Sequence, residues 1–288
     1  MNFLLKKHLK IILSSSQRQK LKHFWNDFKH QLHPTEKISL EEMRDLLVNQ
    51  LRIRKGDKMV VSSSFGNLNA DFTPEELLLL LMDIVGNEGL IMMPYYPPVN
   101  STEWAKKNMV FDVRTTKSGM GIMTNVFSHM PGVVMSNHPT KAVCAWGNNA
   151  KDLVKDHEKS STPFYCDSPY GKLLMMHSKS LGLGVKNITT MHAIEDILSN
   201  PHDYYYQSTS YNLGFIDKDG NEMTINTLVH DEEKMNRCML PGDYVNLLNC
   251  KSYRRIGVGY KYAYVIDNDE LFETCKKEFK KGNTRLKK

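Results

Sequence analysis

Residues 58–96 read KMVVSSSFGNLNADFTPEELLLLLMDIVGNEGLIMMPYY, and this stretch decides the fold. Lys58–Ser64 is a short β-branched run behind the turn Lys55-Gly56-Asp57. Thr73-Pro74-Glu75-Glu76 then opens a helix, with Thr as N-cap, Pro at the first helical position and Glu placed to close a capping box. The helix runs to Val85, where Gly86 suits the left-handed residue that ends a helix. Gly89–Tyr96 is the next apolar run. Strand, helix, strand predicts a βαβ unit with a right-handed crossover. Its helix is apolar on nearly every side, so it is expected to be buried.

Upstream, residues 1–50 read as helical, with Leu40, Met43, Leu46, Leu47 and Leu51 at helical spacing behind a Ser39 N-cap. Downstream, Gly119–Met130 reads as helix, Val133–Ser136 as extended, Ala142–Trp146 as strand and Asn149–His157 as helix. Ser168-Pro169 repeats the helix-start signal before Lys172–Met176. Ser180–Val185 reads as a buried strand and Met191–Leu198 as a helix. Tyr211–Ile216 and Met223–Ile225 flank Lys218-Asp219-Gly220-Asn221, a hairpin signal. Ile256–Ile266 reads as one late strand and Asp269–Lys281 as an amphipathic helix. The expected fold is α/β: a mixed sheet with flanking helices, βαβ units in the core and an antiparallel hairpin region toward the C-terminus. The expected organisation is an N-terminal helical extension, 1–50, and a single domain, 51–288.

The chain has 288 residues, 41% of them hydrophobic and 24% charged, values that exclude disorder and fibrous repeats. No apolar run approaches the roughly 20 residues of a membrane span. The five cysteines form no CxxC pair, which argues for a reducing, cytoplasmic setting and against a zinc or disulfide framework. The net charge of +6 is unevenly spread. Residues 1–37 hold eight Lys/Arg against two acids, residues 276–288 hold seven against one, and the body between them is acidic. The basic ends read as solvated termini, or as a weak attraction of the N-terminal helix to an anionic membrane surface. With no recognition module beside them, they do not argue for nucleic acid.

Neither GxGxxG nor GxxxxGK[ST] occurs, and neither HExxH nor GxSxG. The residues able to carry chemistry stand where strands end. Ser62-Ser63-Ser64-Phe65-Gly66 closes the first βαβ strand, where open α/β sheets bind ligands, and it also reads as an ordinary strand-to-loop turn. His138, held extended by Pro139, suits general-base work and equally a structural role. His192, Glu195 and Asp196 share one helix face, a candidate metal half-site, a carboxylate that orients a distant histidine, or a solvated face. No further ligand pair completes a metal site. Cys144, in the apolar run AVCAW, reads as a small hydrophobe more than as a nucleophile.

In order, VVSSSFGNL (60–68), GNEGLIMMPYY (86–96), SGMGIMTNVFSHMPGVVMSNHPTKAVCAWG (118–147), SPYGKLLMM (168–176), SLGLGV (180–185) and TTMHAIE (189–195) resemble the signatures of the aminoglycoside 3-N-acetyltransferase family, within the antibiotic N-acetyltransferase superfamily. The resemblance implies transfer of acetyl from acetyl-coenzyme A, as co-substrate and without a metal, to a primary amine of an amino sugar or related small molecule. On the family pattern His138 is the base, Glu195 holds it and His192 lines the site. Backbone around Ser62, Ser63, Ser64, Gly66, Ser118, Met120 and Gly121 would contact the coenzyme and stabilise the oxyanion. Departures are Lys141 for the second histidine of the HPxHS element, Ala142 for its serine, Ser62 for a histidine and Met135 for an arginine. They bear on the acceptor, and they leave a non-catalytic coenzyme- or amine-binding descendant as the alternative.

Overall fold

The computed structural model describes residues 35–160, 162–199, 205–238 and 244–283. The helix expected over residues 1–34 and its membrane contact lie outside the described residues. From Ile38 onward the chain forms one compact unit.

The βαβ stretch folds as its sequence dictates. β1 (Lys58–Ser63) and β2 (Leu90–Tyr95) pair in parallel, and α2 (Pro74–Val85) connects them. It follows α1 (Leu40–Asp45), which runs on into a π-helical turn, Leu46–Gln50. Thr73 Oγ1 accepts from the Glu76 amide while Glu76 accepts from the Thr73 amide, so the box that caps α2 is complete.

After β2 come α3 (Ser101–Lys106), β3 (Phe111–Asp112), α4 (Ile122–Phe127), β4 (Val134–Met135), β5 (Ala142–Gly147), α5 (Ala150–Val154) and α6 (Pro169–Leu174). β6 (Lys179–Leu183), α7 (Thr190–Leu198), β7 (Tyr211–Ile216), β8 (Glu222–Thr227), α8 (Glu232–Cys238), β9 (Tyr253–Val258), β10 (Lys261–Asp267) and α9 (Asn268–Lys280) complete the chain. The main sheet has the order β4-β5-β2-β1-β6-β10-β9, with β2, β1 and β6 mutually parallel and their outer neighbours antiparallel. A second sheet, β3-β7-β8, contains the expected hairpin. The mixed α/β architecture is the one read from the sequence.

Alternate residues of the central strands enter two cores. Met59, Val61, Ile91 and Met93 join one beneath α1, α2 and α4. Val60, Leu90 and Met92 join the other beneath α5, α6, α7 and α9. Each such side chain, fully buried, contributes about 1.5–3 kcal/mol. Covering both faces explains why these strands read as unbroken apolar runs.

The late strand differs from expectation: Ile256–Ile266 is a hairpin turning at Gly259-Tyr260. Gly259 has φ +51, and a Cβ there would sit 2.3 Å from the Leu68 carbonyl oxygen, so the turn needs glycine. The hairpin returns Tyr264 across β6, where it covers Gly182 and donates to the Asn187 carbonyl. That bond holds the loop between β6 and α7. A Cβ at Gly182 would lie 2.0 Å from the Tyr264 ring. Gly182→Ala is therefore expected to displace Tyr264 and cost about 1–3 kcal/mol by overpacking. Urea denaturation checks this, and an unchanged midpoint would show that the ring moves aside freely.

Candidate active site

Two cavities open at the carboxyl ends of β1, β2 and β6. The first, about 360 Å³, is lined by Ser62, Ser63, Tyr96, Met120, Thr189 and His192 among others. The second, about 320 Å³, is lined by Tyr96, Met120, Thr140, Lys141, His192 and His230 among others. Tyr96, Met120, His192 and Met235 belong to both walls, so the cavities are two lobes of one cleft. Wider depressions beside α1 and around Arg114 and Asp217 hold none of the expected site residues.

His192 stands in the first turn of α7 with Nδ1 3.7 Å from Glu195 Oε2. Phe164 and His230 each lie 5.2 Å from its ring, centre to centre. The solvated reading of this helix face does not hold. Met191 and Ile194, which helical spacing places on the core side with Leu198, are buried together with Ala193, Leu198 is partly buried, and Glu195 and Asp196 are buried with them. Asp196 accepts from the hydroxyls of Thr162, Tyr205 and Tyr206. Burial raises its pKa to about 6, against the lowering effect of those hydroxyls. Glu195 instead puts its carboxylate beneath His192.

His138 occupies the corner between β4 and β5 and lines neither cavity. Its Nδ1 accepts from the amides of Thr140 and Lys141, at 3.2 and 3.0 Å. Nε2 lies 3.1 Å from Thr227 Oγ1, which itself donates to the Leu228 carbonyl, so Nε2 is the protonated nitrogen. Both nitrogens are thus engaged in the neutral ring, which packs 4.6 Å from His157. His157 bonds Ser136 Oγ at 2.9 Å and donates to the Pro163 carbonyl at 3.1 Å.

The expected coenzyme contacts divide in the same way. Ser62, Ser63 and Met120 line the first cavity, whereas Ser64, Gly66, Ser118 and Gly121 line neither. Ser62 Oγ bonds Thr189 Oγ1 at 2.8 Å. The amides of Ser64, Ser118 and Met120 already donate, to the Leu183 carbonyl, Asn125 Oδ1 and Ser118 Oγ. Ser62, Ser63 and Met120 thus form part of the wall, and the amides of Ser64, Ser118 and Met120 are committed within the fold.

Reading the sequence missed Tyr96, Thr189 and His230 as cleft residues and noted Lys141 only as a departure. The Lys141 ammonium lies 4.4 Å from the centre of the Tyr96 ring, and burial lowers its pKa to about 8, so it remains largely charged at neutral pH. Tyr170 donates to the Tyr96 hydroxyl at 2.7 Å and fixes that ring. Cys144 is buried, with its thiol pKa raised by desolvation, as suits a hydrophobe. Among the described residues no His, Cys, Asp or Glu group is arranged to hold a metal ion, and no helix is long and apolar enough to cross a membrane.

His138, His157 and His230 are buried, and desolvation first of all lowers the pKa of each, to about 3 for His157. The unfolded chain protonates these rings near 6.5 while the native state keeps them neutral. Stability is therefore full above pH 6.5 and falls below it, by about 1.4 kcal/mol per pH unit for each ring. Asp196, whose folded pKa is raised, opposes this in part, because its cost of ionisation is relieved below about pH 6. Guanidinium denaturation is expected to give a lower unfolding free energy at pH 5.5 than at pH 7.5, and equal values would mean that the rings are not buried neutral.

The profile of the aminoglycoside 3-N-acetyltransferase family matches residues 60–280. The SPbeta prophage-derived aminoglycoside N(3')-acetyltransferase-like protein YokD of Bacillus subtilis (strain 168) is 28% identical over 152 residues, 46% of this chain and 56% of that protein. The chain thus spans little more than half the length of that curated relative. The solved structure of AAC-IIIb, binary with CoASH, superposes with a TM-score of 0.69 at 18% identity, covering 86% of this chain and 98% of that one. AAC-VIa bound to sisomicin superposes with a TM-score of 0.67 at 19% identity, covering 86% and 99%. These likenesses show the same fold. With the profile spanning both strand ends of the cleft, α7 and its histidine, the chain belongs to the aminoglycoside 3-N-acetyltransferase family.

Proposed function

We propose that this chain transfers acetyl from acetyl-coenzyme A to a primary amine of a small molecule, with His192 as the general base. The observation that carries the reading is the place of His192 on the wall common to both lobes, with the buried Glu195 carboxylate behind it. An amine held in the second lobe and a thioester held in the first would meet at this ring. The coenzyme complex of AAC-IIIb supports the donor, and family membership with the sisomicin complex of AAC-VIa supports an amine acceptor.

A substrate ammonium gives one proton to solvent to become the attacking amine, and a second must leave its nitrogen as the new bond forms; imidazole is matched to that second task near neutrality. In the proposed step Nδ1–H faces Glu195, leaving Nε2 to take the proton as nitrogen bonds to the thioester carbonyl carbon. The tetrahedral intermediate then expels the coenzyme thiolate, which recovers the proton from the imidazolium. Glu195, with Oε2 3.7 Å from Nδ1, stabilises that imidazolium electrostatically. The alternative base, His138, would have to give up bonds at both nitrogens and reach past the cleft wall.

His192→Ala is expected to lower amine-dependent thiol release by roughly 10²–10⁴-fold while acetyl-coenzyme A binding survives. His138→Ala is expected to lower stability by about 1–3 kcal/mol, because the Thr140 and Lys141 amides lose their acceptor. Steady-state kinetics beside thermal melts separate the two. A His138→Ala protein that is folded and inactive, beside an active His192→Ala protein, would return the base to His138. Coenzyme binding with no release against any amine would favour the binding-protein alternative.

A further inference from the structure

The second lobe holds more donor capacity than amide formation requires. Thr140 is 1% exposed and His230 is 5% exposed, yet Thr140 Oγ1 and His230 Nε2 have no hydrogen-bond partner among the described residues. Both residues line the second lobe beside Lys141. Buried polar atoms are ordinarily satisfied, so two unsatisfied ones on residues of the same cavity wall point to polar atoms of a ligand that seats there. Lys141 makes no ion pair among the described residues and is held by the face of Tyr96.

The charges of the wall point the same way. Among the described residues the first lobe is lined by no carboxylate, and the second only by Glu232 on α8, an exposed residue. A polycationic acceptor calls for several facing carboxylates, whereas this wall sets an ammonium, a hydroxyl and a neutral imidazole, with His192, against the single exposed Glu232.

We infer that the second lobe binds an anionic group, a carboxylate or a phosphate, carried by the acyl acceptor, so that the substrate is an amino-bearing anion and not a polycation. The inference rests on the transferase reading of the same cleft. Lys141 supplies the charge, while Thr140 O–H and an N–H of His230 donate to the oxygens of the anion. Tyr96 keeps the ammonium facing the lobe. An acceptor anchored there at its anion brings its amine toward His192 on the common wall.

The test uses four acceptors with the full-length enzyme: glucosamine, glucosamine 6-phosphate, 2-amino-2-deoxyglucuronate and kanamycin. Thiol release from acetyl-coenzyme A is expected to give a kcat/KM for the phosphate or the uronate at least about tenfold above glucosamine, and the better of the two identifies the anion. Lys141→Met is expected to bring that ratio to within about twofold by raising the acceptor KM, and Lys141→Arg to retain it. Preference for kanamycin, a ratio unmoved by Lys141→Met, or an effect confined to the KM of acetyl-coenzyme A would overturn the inference. Calorimetric titration of both anions without coenzyme separates the two layers of argument. Binding lost in Lys141→Met without turnover keeps the anion site and sinks the transferase reading. Turnover of neutral amines without anion binding does the reverse.

Discussion

Both faces of β1, β2 and β6 are covered, so these strands meet solvent only where they end, and the site follows from that constraint. Within the sheet each residue belongs to one core or the other, as Met59, Val60 and Val61 show in succession. Past the last apolar pair of β1 and β2, polar side chains take over. There Ser62 bonds Thr189, Tyr96 leaves β2, and the loop after β6 leads to His192. The antiparallel direction of β5 matters as much. Its first residue, Ala142, pairs with Tyr95 at the carboxyl end of β2, which delivers Thr140 and Lys141 to the cleft. Had β5 run parallel, its amino end would lie at the opposite edge of the sheet.

The small sheet contributes from outside. Leu213, Phe215 and Ile225 anchor β7 and β8 on the first core, and Phe215 stacks on Phe111 at 5.6 Å. That docking sets Thr227 against His138 and places His230 in the second lobe three residues later. The specificity wall is thus assembled from two sheets, while the proposed base and its carboxylate come from one helix. Acceptor preference can therefore change without disturbing the proton-transfer pair.

What the sequence disclosed follows from this division. The βαβ unit, the caps of α2 and the β7–β8 hairpin are local, and residues within a dozen positions determine them. That His192 and Glu195 share a helix face was legible for the same reason, although the family pattern set Glu195 behind His138 and not behind His192. The burial of Glu195 and Asp196 was not, because the hydroxyls that satisfy Asp196 come from Thr162, Tyr205 and Tyr206 on other segments. The hairpin at Gly259 was read as one strand because the close approach of Leu68 that dictates glycine there is a tertiary contact. Lys141 and His230 needed the pairing direction of β5 and the docking of a second sheet, neither of which leaves a pattern in sequence.

Histidine serves two purposes in this structure, and what lies next to each ring decides which. His138, His157 and His230 are surrounded by apolar groups, backbone and one another, and the charge of Lys141 further disfavours protonation of His138 and His230. Each is fixed neutral and serves as a shaped hydrogen-bonding plate. His192 has a carboxylate behind it and open cleft in front. An imidazole that must gain and lose a proton in each cycle needs a counter-charge on the far side, and Glu195 is placed to supply one. Lys141 then does double duty. In the proposed reaction it attracts an anion into the second lobe, and it helps to keep His138 and His230 uncharged, so that the proposed proton transfer is confined to the one ring backed by a carboxylate.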